Sequence, residues 1–253
     1  MRRLFAAASL LAAAAVPAAA ADLGRAPAYK APAVVQTVHN WTGFYVGGHI
    51  GYGWSGSNNW NVLAIAPAVP GLGGTVNPDA DGFIGGAQIG ANYQAGMWVL
   101  GVEGDFTWSG QRGSSNGIIT VGGVPVPGVV TSGNTRVDWT ATITGRIGVA
   151  FDNVLIYAKG GVAFAEIDHD YAITAPGFVG FGRVSNNRTG YTLGAGIEYA
   201  LNYNWSIRGE YSFLDFGRRD YTFATLPPAG PGTITQSIRD QIHQIKLGVN
   251  YRF

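Results

Sequence analysis

The sequence predicts an all-β chain, an eight-stranded antiparallel up-and-down transmembrane β-barrel. Three observations point there. Eight segments of about ten residues alternate between apolar and polar positions. Short and long connections alternate between those segments without exception. The charged fraction is only 12%, about half that of an ordinary soluble domain, so a fully solvated surface would be hard to build.

The N-terminal residues set the first boundary. Arg2 and Arg3 precede the apolar run from Leu4 to Val16, Pro17 breaks it, and Ala18 to Ala21 supply small residues. That order reads as a cleavable secretory signal over residues 1–21 rather than a membrane span. Residues 22–40, with Pro27 and Pro32 among alanines and no periodicity, read as a flexible periplasmic lead-in. The barrel is expected over residues 41–253. No stretch after Ala21 offers the roughly 18 apolar residues that a membrane helix needs. The chain has no cysteine, which excludes a disulfide framework and thiolate metal sites. A net charge of +1 gives no reason to expect nucleic acid as a partner.

The strands follow in order. In the first, Phe44, Val46, Ile50, Tyr52 and Trp54 share a face opposite Tyr45, Gly47, His49 and Gly51. The second sets Ala87, Ile89, Ala91 and Tyr93 against Gln88, Gly90 and Asn92. Trp98, Leu100, Val102, Phe106 and Trp108 form the apolar face of the third, opposite Gly101, Glu103, Asp105 and Thr107. In the fourth, Trp139, Ile143, Ile147, Val149 and Phe151 oppose Thr140, Thr142, Thr144 and Arg146. The fifth puts Ile156, Val162 and Phe164 against Tyr157, Lys159 and Gly161. Tyr191, Leu193, Ile197 and Tyr199 mark the sixth, opposite Thr192, Gly194, Gly196 and Glu198. The seventh has Trp205, Ile207, Tyr211 and Phe213 against Ser206, Arg208, Glu210 and Ser212. The last runs from His243 through Ile245, Leu247, Val249 and Tyr251 to Phe253, opposite Gln244, Lys246, Gly248, Asn250 and Arg252. Strict alternation places each strand between two different media.

Gln94-Ala95-Gly96, Asp152-Asn153 and Asn202-Tyr203-Asn204 are the tight turns. The links near residues 55–81, 109–135, 166–188 and 217–238 are long, as the external loops of a membrane barrel are. A soluble barrel would turn its apolar face inward. Here aromatic residues gather at the strand ends, where membrane interfaces would hold them. The opposite face is glycine, threonine and charges of both signs. Glu103, Asp105, Glu198 and Glu210 can meet Arg146, Lys159, Arg208, Lys246 and Arg252 as an ion-pair network in a narrow lumen, where an unpaired charge would be heavily penalised.

These residues carry a family resemblance. Ala21-Asp22-Leu23, Trp41-Thr42-Gly43-Phe44-Tyr45, Gly101-Val102-Glu103-Gly104-Asp105, Gly145-Arg146-Ile147-Gly148 and Tyr157-Ala158-Lys159-Gly160-Gly161 form a series. Gly194-Ala195-Gly196-Ile197-Glu198-Tyr199 and the terminal Lys246-Leu247-Gly248-Val249-Asn250-Tyr251-Arg252-Phe253 complete it. In order and spacing the series resembles the small outer-membrane β-barrel proteins of alphaproteobacteria, relatives of the membrane domain of OmpA. The resemblance covers the signal and all strands but not the loops, and implies an outer-membrane location with membrane lipid as a partner. It further implies that Leu247, Val249, Tyr251 and Phe253 form the segment recognised by the β-barrel assembly machinery. Some relatives have the N-terminus tied to peptidoglycan, a role that would fall on Ala21-Asp22.

Chemistry is sparse. There is no Gly-Lys dipeptide, hence no P-loop, and the glycines sit within strands. His243 with Asp240 and Ser237 is the nearest approach to a catalytic set, and nothing in the spacing fixes it as one. No enzyme activity, cofactor or metal is expected. The resemblance brings in one ligand alternative, haemin, for which His169 and Tyr171 in Asp168-His169-Asp170-Tyr171 would be the ring ligands on an exposed loop. A second alternative is a low-conductance porin for small solutes, which a plugged lumen opposes. The favoured expectation is a structural, membrane-stabilising and surface-display role, with the apolar loop residues Val62, Ile65, Val69, Ile118, Val121, Val124 and Val126 making external contacts.

Overall fold

A computed structural model of the chain describes residues 39–56, 60–66, 72–176, 178–225 and 232–253. The signal expected over residues 1–21, the lead-in as far as residue 38 and the proposed tether at Ala21-Asp22 lie outside the described residues, as does Val69. The described residues contain eleven antiparallel strands. They are β1 (Gly43–Ser55), β2 (Trp60–Ala66), β3 (Leu72–Val76), β4 (Asp81–Ala95), β5 (Trp98–Ser109), β6 (Arg112–Val121), β7 (Val124–Phe151), β8 (Val154–Ala175), β9 (Phe178–Ala200), β10 (Trp205–Thr225) and β11 (Gly232–Arg252).

Eight of these close a ring in the order β1-β4-β5-β7-β8-β9-β10-β11, with β11 returning to β1. Closure leaves no unpaired edge at that level, which is what lets strands cross a bilayer. The eight ring strands contain the eight segments that the period-2 pattern predicts. Among the described residues no helix is long and apolar enough to cross a membrane.

Side-chain direction matches the inverted arrangement. Phe44 is 71% exposed, Leu247 65% and Ile143 66%, whereas Glu103, Arg208 and Lys246 are each 2% exposed. The apolar face is therefore the outer one. Its rings line both rims: Trp98, Phe151, Tyr199, Trp205 and Phe253 at the end with short turns, and Phe83, Trp108, Trp139, Tyr191 and Tyr211 at the other. Such belts anchor a barrel at the two interfaces.

The short turns are built from the residues that suit them. Gly96 adopts φ 63° and Asp152 φ 49°, both in the left-handed region. Between Asn202 and Trp205 the Asn202 Oδ1 accepts the backbone N–H groups of Asn204 (3.0 Å) and Trp205 (2.9 Å), an asparagine side chain closing its own turn.

The long links differ from the expected loops. β7 has 28 residues and β8, β9, β10 and β11 have 21 to 23, about twice what a tilted crossing requires. The surplus stands beyond the aromatic rim as a sheet, and β2, β3 and β6 join it between β11 and β7. Much of the reason is local. Ile118, Ile119, Thr120 and Val121 lead into Gly122 (φ 61°) and Gly123 (φ 81°), then Val124 pairs back with Val121. Two successive positive-φ glycines form the hairpin turn that matches strand twist, and β-branched flanks favour extended chain.

Candidate functional site

Four carboxylates and four cations fill the middle of the ring. β5 contributes Glu103 and Asp105, β7 Arg146, β8 Lys159, β9 Glu198, β10 Arg208 and Glu210, and β11 Lys246. Each falls on the inward parity of its strand, because residues two apart face the same side. Glu103 sits at the centre. It accepts from Arg208 at 2.5 Å, Lys159 at 2.9 Å and the Tyr45 hydroxyl at 2.7 Å, with Arg146 at 3.6 Å. Lys159 also reaches Glu210 at 2.6 Å. Glu210 in turn accepts the Tyr157 hydroxyl at 2.8 Å and the Ser212 hydroxyl at 3.0 Å. Lys246 bridges Asp105 at 2.8 Å, and Arg146 holds Glu198 at 3.0 Å. Ser206 and Asn250 complete the shell of Glu198.

One contact fixes the bore. In the ring order β5 and β10 are four strands apart out of eight, so they face each other across the lumen. The 2.5 Å contact between Glu103 and Arg208 spans it. Nearer the outer rim Gln244 of β11 donates to Thr140 Oγ1 of β7 at 3.3 Å, again between diametrically opposed strands. Buried charges persist only when opposite charge and hydrogen bonds surround them, and here the signs balance, four against four.

Three inward residues of this network were not among the predicted charges: Tyr45, Tyr157 and His49. His49 is 5% exposed, contacts Gln88 at 2.7 Å and Thr107 at 3.0 Å, and lies 3.5 Å from Asp105. The signal that finds them is parity alone, since all three share the lumen side of the alternation.

Arg252 corrects the expectation. Among the described residues it makes no ion pair. Its guanidinium donates to His39 Nε2 (2.6 Å) and the Asn40 carbonyl (2.7 Å) and lies 4.6 Å over the Trp41 ring. Trp41 is fully buried against Val99, Leu155, Tyr157 and Ala200. Its backbone N–H donates to Gln94 Oε1 at 2.7 Å. His39 and Asn40, expected in the flexible lead-in, are thus tied to the lower mouth of the barrel through Arg252, with His39 buried. The reason is position: Arg252 lies two residues beyond Asn250, which partners Glu198, at the end of β11 where its polar partners come from the chain entering β1.

The haemin alternative is corrected in its geometry. His169 and Tyr171 are not on an exposed loop: β8 continues through them, and they are 3% and 6% exposed. His169 lies 3.2 Å from Thr135 Oγ1 and 3.5 Å from Asp240, which also holds Arg188 at 2.6 Å. Tyr171 packs with Val76 and Ile238. His243 faces outward, 2.6 Å from the Tyr211 hydroxyl and stacked on Trp54 at 5.6 Å. Asp240 faces inward, so the Ser237, Asp240 and His243 set is not assembled. Leu247, Val249, Tyr251 and Phe253 lie along the outer face of β11, with Tyr251 edge-on to Trp205 at 5.0 Å and to Phe253 at 5.2 Å.

Comparison with known proteins gives consistent results. Residues 6–253 match the family model described as outer membrane protein beta-barrel domain. The 31 kDa outer-membrane immunogenic protein of Brucella melitensis is 29% identical over 229 residues, covering 90% of this chain and 89% of that protein. The 25 kDa outer-membrane immunogenic protein of Brucella abortus is 27% identical, covering 90% and 86%. The 22 kDa outer membrane protein of Rhizobium leguminosarum bv. viciae is 28% identical, covering 89% and 83%.

Proposed function

The chain belongs to the outer membrane protein beta-barrel family, and from that premise we propose that it is a closed structural barrel that stabilises the outer membrane and displays a β-sheet wall at the cell surface. The observation that carries this reading is the Glu103–Arg208 contact across the lumen. A charge-balanced set of contacts across the middle of the lumen opposes a continuous water path, which weighs against the porin alternative. The surplus of β7 to β11 stands outside together with β6, and Ile118 and Val121 on β6 and Val124 and Val130 on β7 are 56%, 37%, 66% and 49% exposed. Exposed apolar positions of that kind suit contact with other molecules. The buried setting of His169 and Tyr171 gives surface capture of haemin no support. The role is accordingly a non-catalytic one.

Two roles carried by the resemblance belong to the same proposal. Leu247, Val249, Tyr251 and Phe253 would be read by the assembly machinery as an exposed apolar stripe before the barrel closes. The N-terminus would be tied to peptidoglycan, which mass spectrometry of muramidase-digested envelopes would detect as a cross-linked rather than free amine.

Because the chain has no cysteine, single labels test the display directly. In intact cells, a membrane-impermeant maleimide should label Ser114→Cys on β6 and not Asn202→Cys in a short turn. A deletion strain should become detergent-sensitive and recover with the wild-type chain. Labelling in the reverse pattern, or a deletion strain with an unchanged envelope, would remove the reading.

A further inference from the structure

Above the outer aromatic rim two junctions of the wall open among the described residues: β2 and β3 pair only at Trp60↔Val76 and Asn61↔Thr75, and β9 and β10 do not pair there at all. β9 and β10 part after Tyr191 and Asp215. β9 continues to Phe178 paired to β8, and β10 continues to Thr225 paired to β11. Two strand edges therefore flank a gap that opens at the height of the outer leaflet, each with backbone groups not used by the other.

The corner of that gap is a recess lined by Tyr191, Asp215, Gly217, Arg218 and Arg239. Gly217 has φ 73° at the register shift between Asp215 and Arg218, which removes a side chain from its floor. Asp215 is satisfied internally: it accepts Arg239 at 2.7 Å, Gln241 at 2.9 Å, the Gly217 N–H at 2.8 Å and the Tyr191 hydroxyl at 3.3 Å. Arg218 is the cross-strand partner of Arg239. Like charges directly opposite in a sheet are unfavourable, and Asp215 neutralises only the second. Among the described residues Arg218 and Arg219 make no ion pair, and both are exposed. Counting Asp220, three arginines stand against two aspartates.

Height identifies the occupant. Phe213 and His243 are partners in the rim, and Arg239 lies four residues before His243 along β11. Four residues are about 13 Å of strand, or roughly 9 Å in height at a tilt of about 45°. That is the layer of lipid headgroups. We infer that this recess binds a phosphate on the headgroup of an outer-leaflet glycolipid, with Arg218 and Arg239 as the planar donors that suit phosphate oxygens.

Native mass spectrometry of the folded full chain in detergent, with diphosphoryl lipid A added, tests this. Wild type should retain the lipid, and R218Q and R218Q/R239Q should lose about tenfold or more in affinity. R112Q, at an exposed arginine on β6 remote from the recess, should not change. Heat-dependent gel migration confirms folding first. Arg218 has no side-chain partner among the described residues, so R218Q decides the matter should the double variant not fold. Equal retention by R218Q, equal retention of lipid A lacking both phosphates, or displacement by inorganic phosphate at the same concentration would each overturn the proposal. The last would indicate a site for the free anion.

Discussion

Glu103 is the residue on which the lumen turns. It meets three cations and a tyrosine hydroxyl. Glu103→Gln keeps the volume and leaves positive charge uncompensated, a change that costs about 3–5 kcal/mol when one partner of a buried pair is removed. The urea midpoint of the heat-modifiable form should fall accordingly, and an unchanged midpoint would show the pairs to be dispensable. Two glycines make an opposed test of side-chain direction. A methyl group at Gly161 would collide with the Ile143 carbonyl, whereas one at Gly145 meets nothing within 4 Å on the lipid face. Gly161→Ala should lose about 1–3 kcal/mol, and Gly145→Ala should change stability by less than about 1 kcal/mol. At this scale the sequence was readable wherever parity decided the matter. The charges on the inward parity meet inside because no other face is available to them. Arg252 was misassigned because parity gives direction and not depth, and its depth brings it to His39 and Trp41. The tyrosines were passed over because a ring on the polar face carries no charge to pair.

Elements divide into those that cross the membrane and those that extend beyond it. The crossing parts have one medium on each side, and alternation reports that contrast directly. The outer parts of β7 and β8 have no such contrast. Pro125, Pro127 and the glycines of Val124–Arg136 interrupt the period, and cross-strand pairing rather than sequence pattern holds the wall. The ring closes below the wall without β2, β3 or β6. Replacing residues 112–136 by a short turn should therefore leave a barrel that still folds and shows heat-dependent migration, with β5 and β7 paired from Trp98↔Val149 to Trp108↔Trp139. Failure to fold would make the wall part of the folding unit. The contacts of His39 and Asn40 with Arg252, which latch the entering chain to the lower mouth, have their own pH dependence. Burial and the neighbouring Arg252 hold the His39 imidazole below the ordinary histidine range. The unfolded segment thus binds the proton more readily, and latch stability is full above about pH 6.5 and declines as pH falls through that value toward the folded one. Hydrogen exchange of the segment 39–44, corrected for intrinsic rate, should quicken over that window in wild type and stay flat in His39→Phe. Equal behaviour of the two chains would remove His39 as the cause.

For the whole molecule, composition and architecture agree. A chain with 12% charged residues places many of them inside and leaves the outer belt to apolar side chains, the reverse of a soluble protein. The fold was largely legible for that reason, while the role was not, because barrels of one architecture differ chiefly in what stands outside them. The central claim is that the lumen is shut by its own charges. Single-channel recording of the refolded chain in a planar bilayer tests it most directly. The closed barrel predicts silence or rare brief openings. Steady, sizeable conductance from the wild-type chain would contradict the claim and make the Glu103–Arg208 contact a gate that opens.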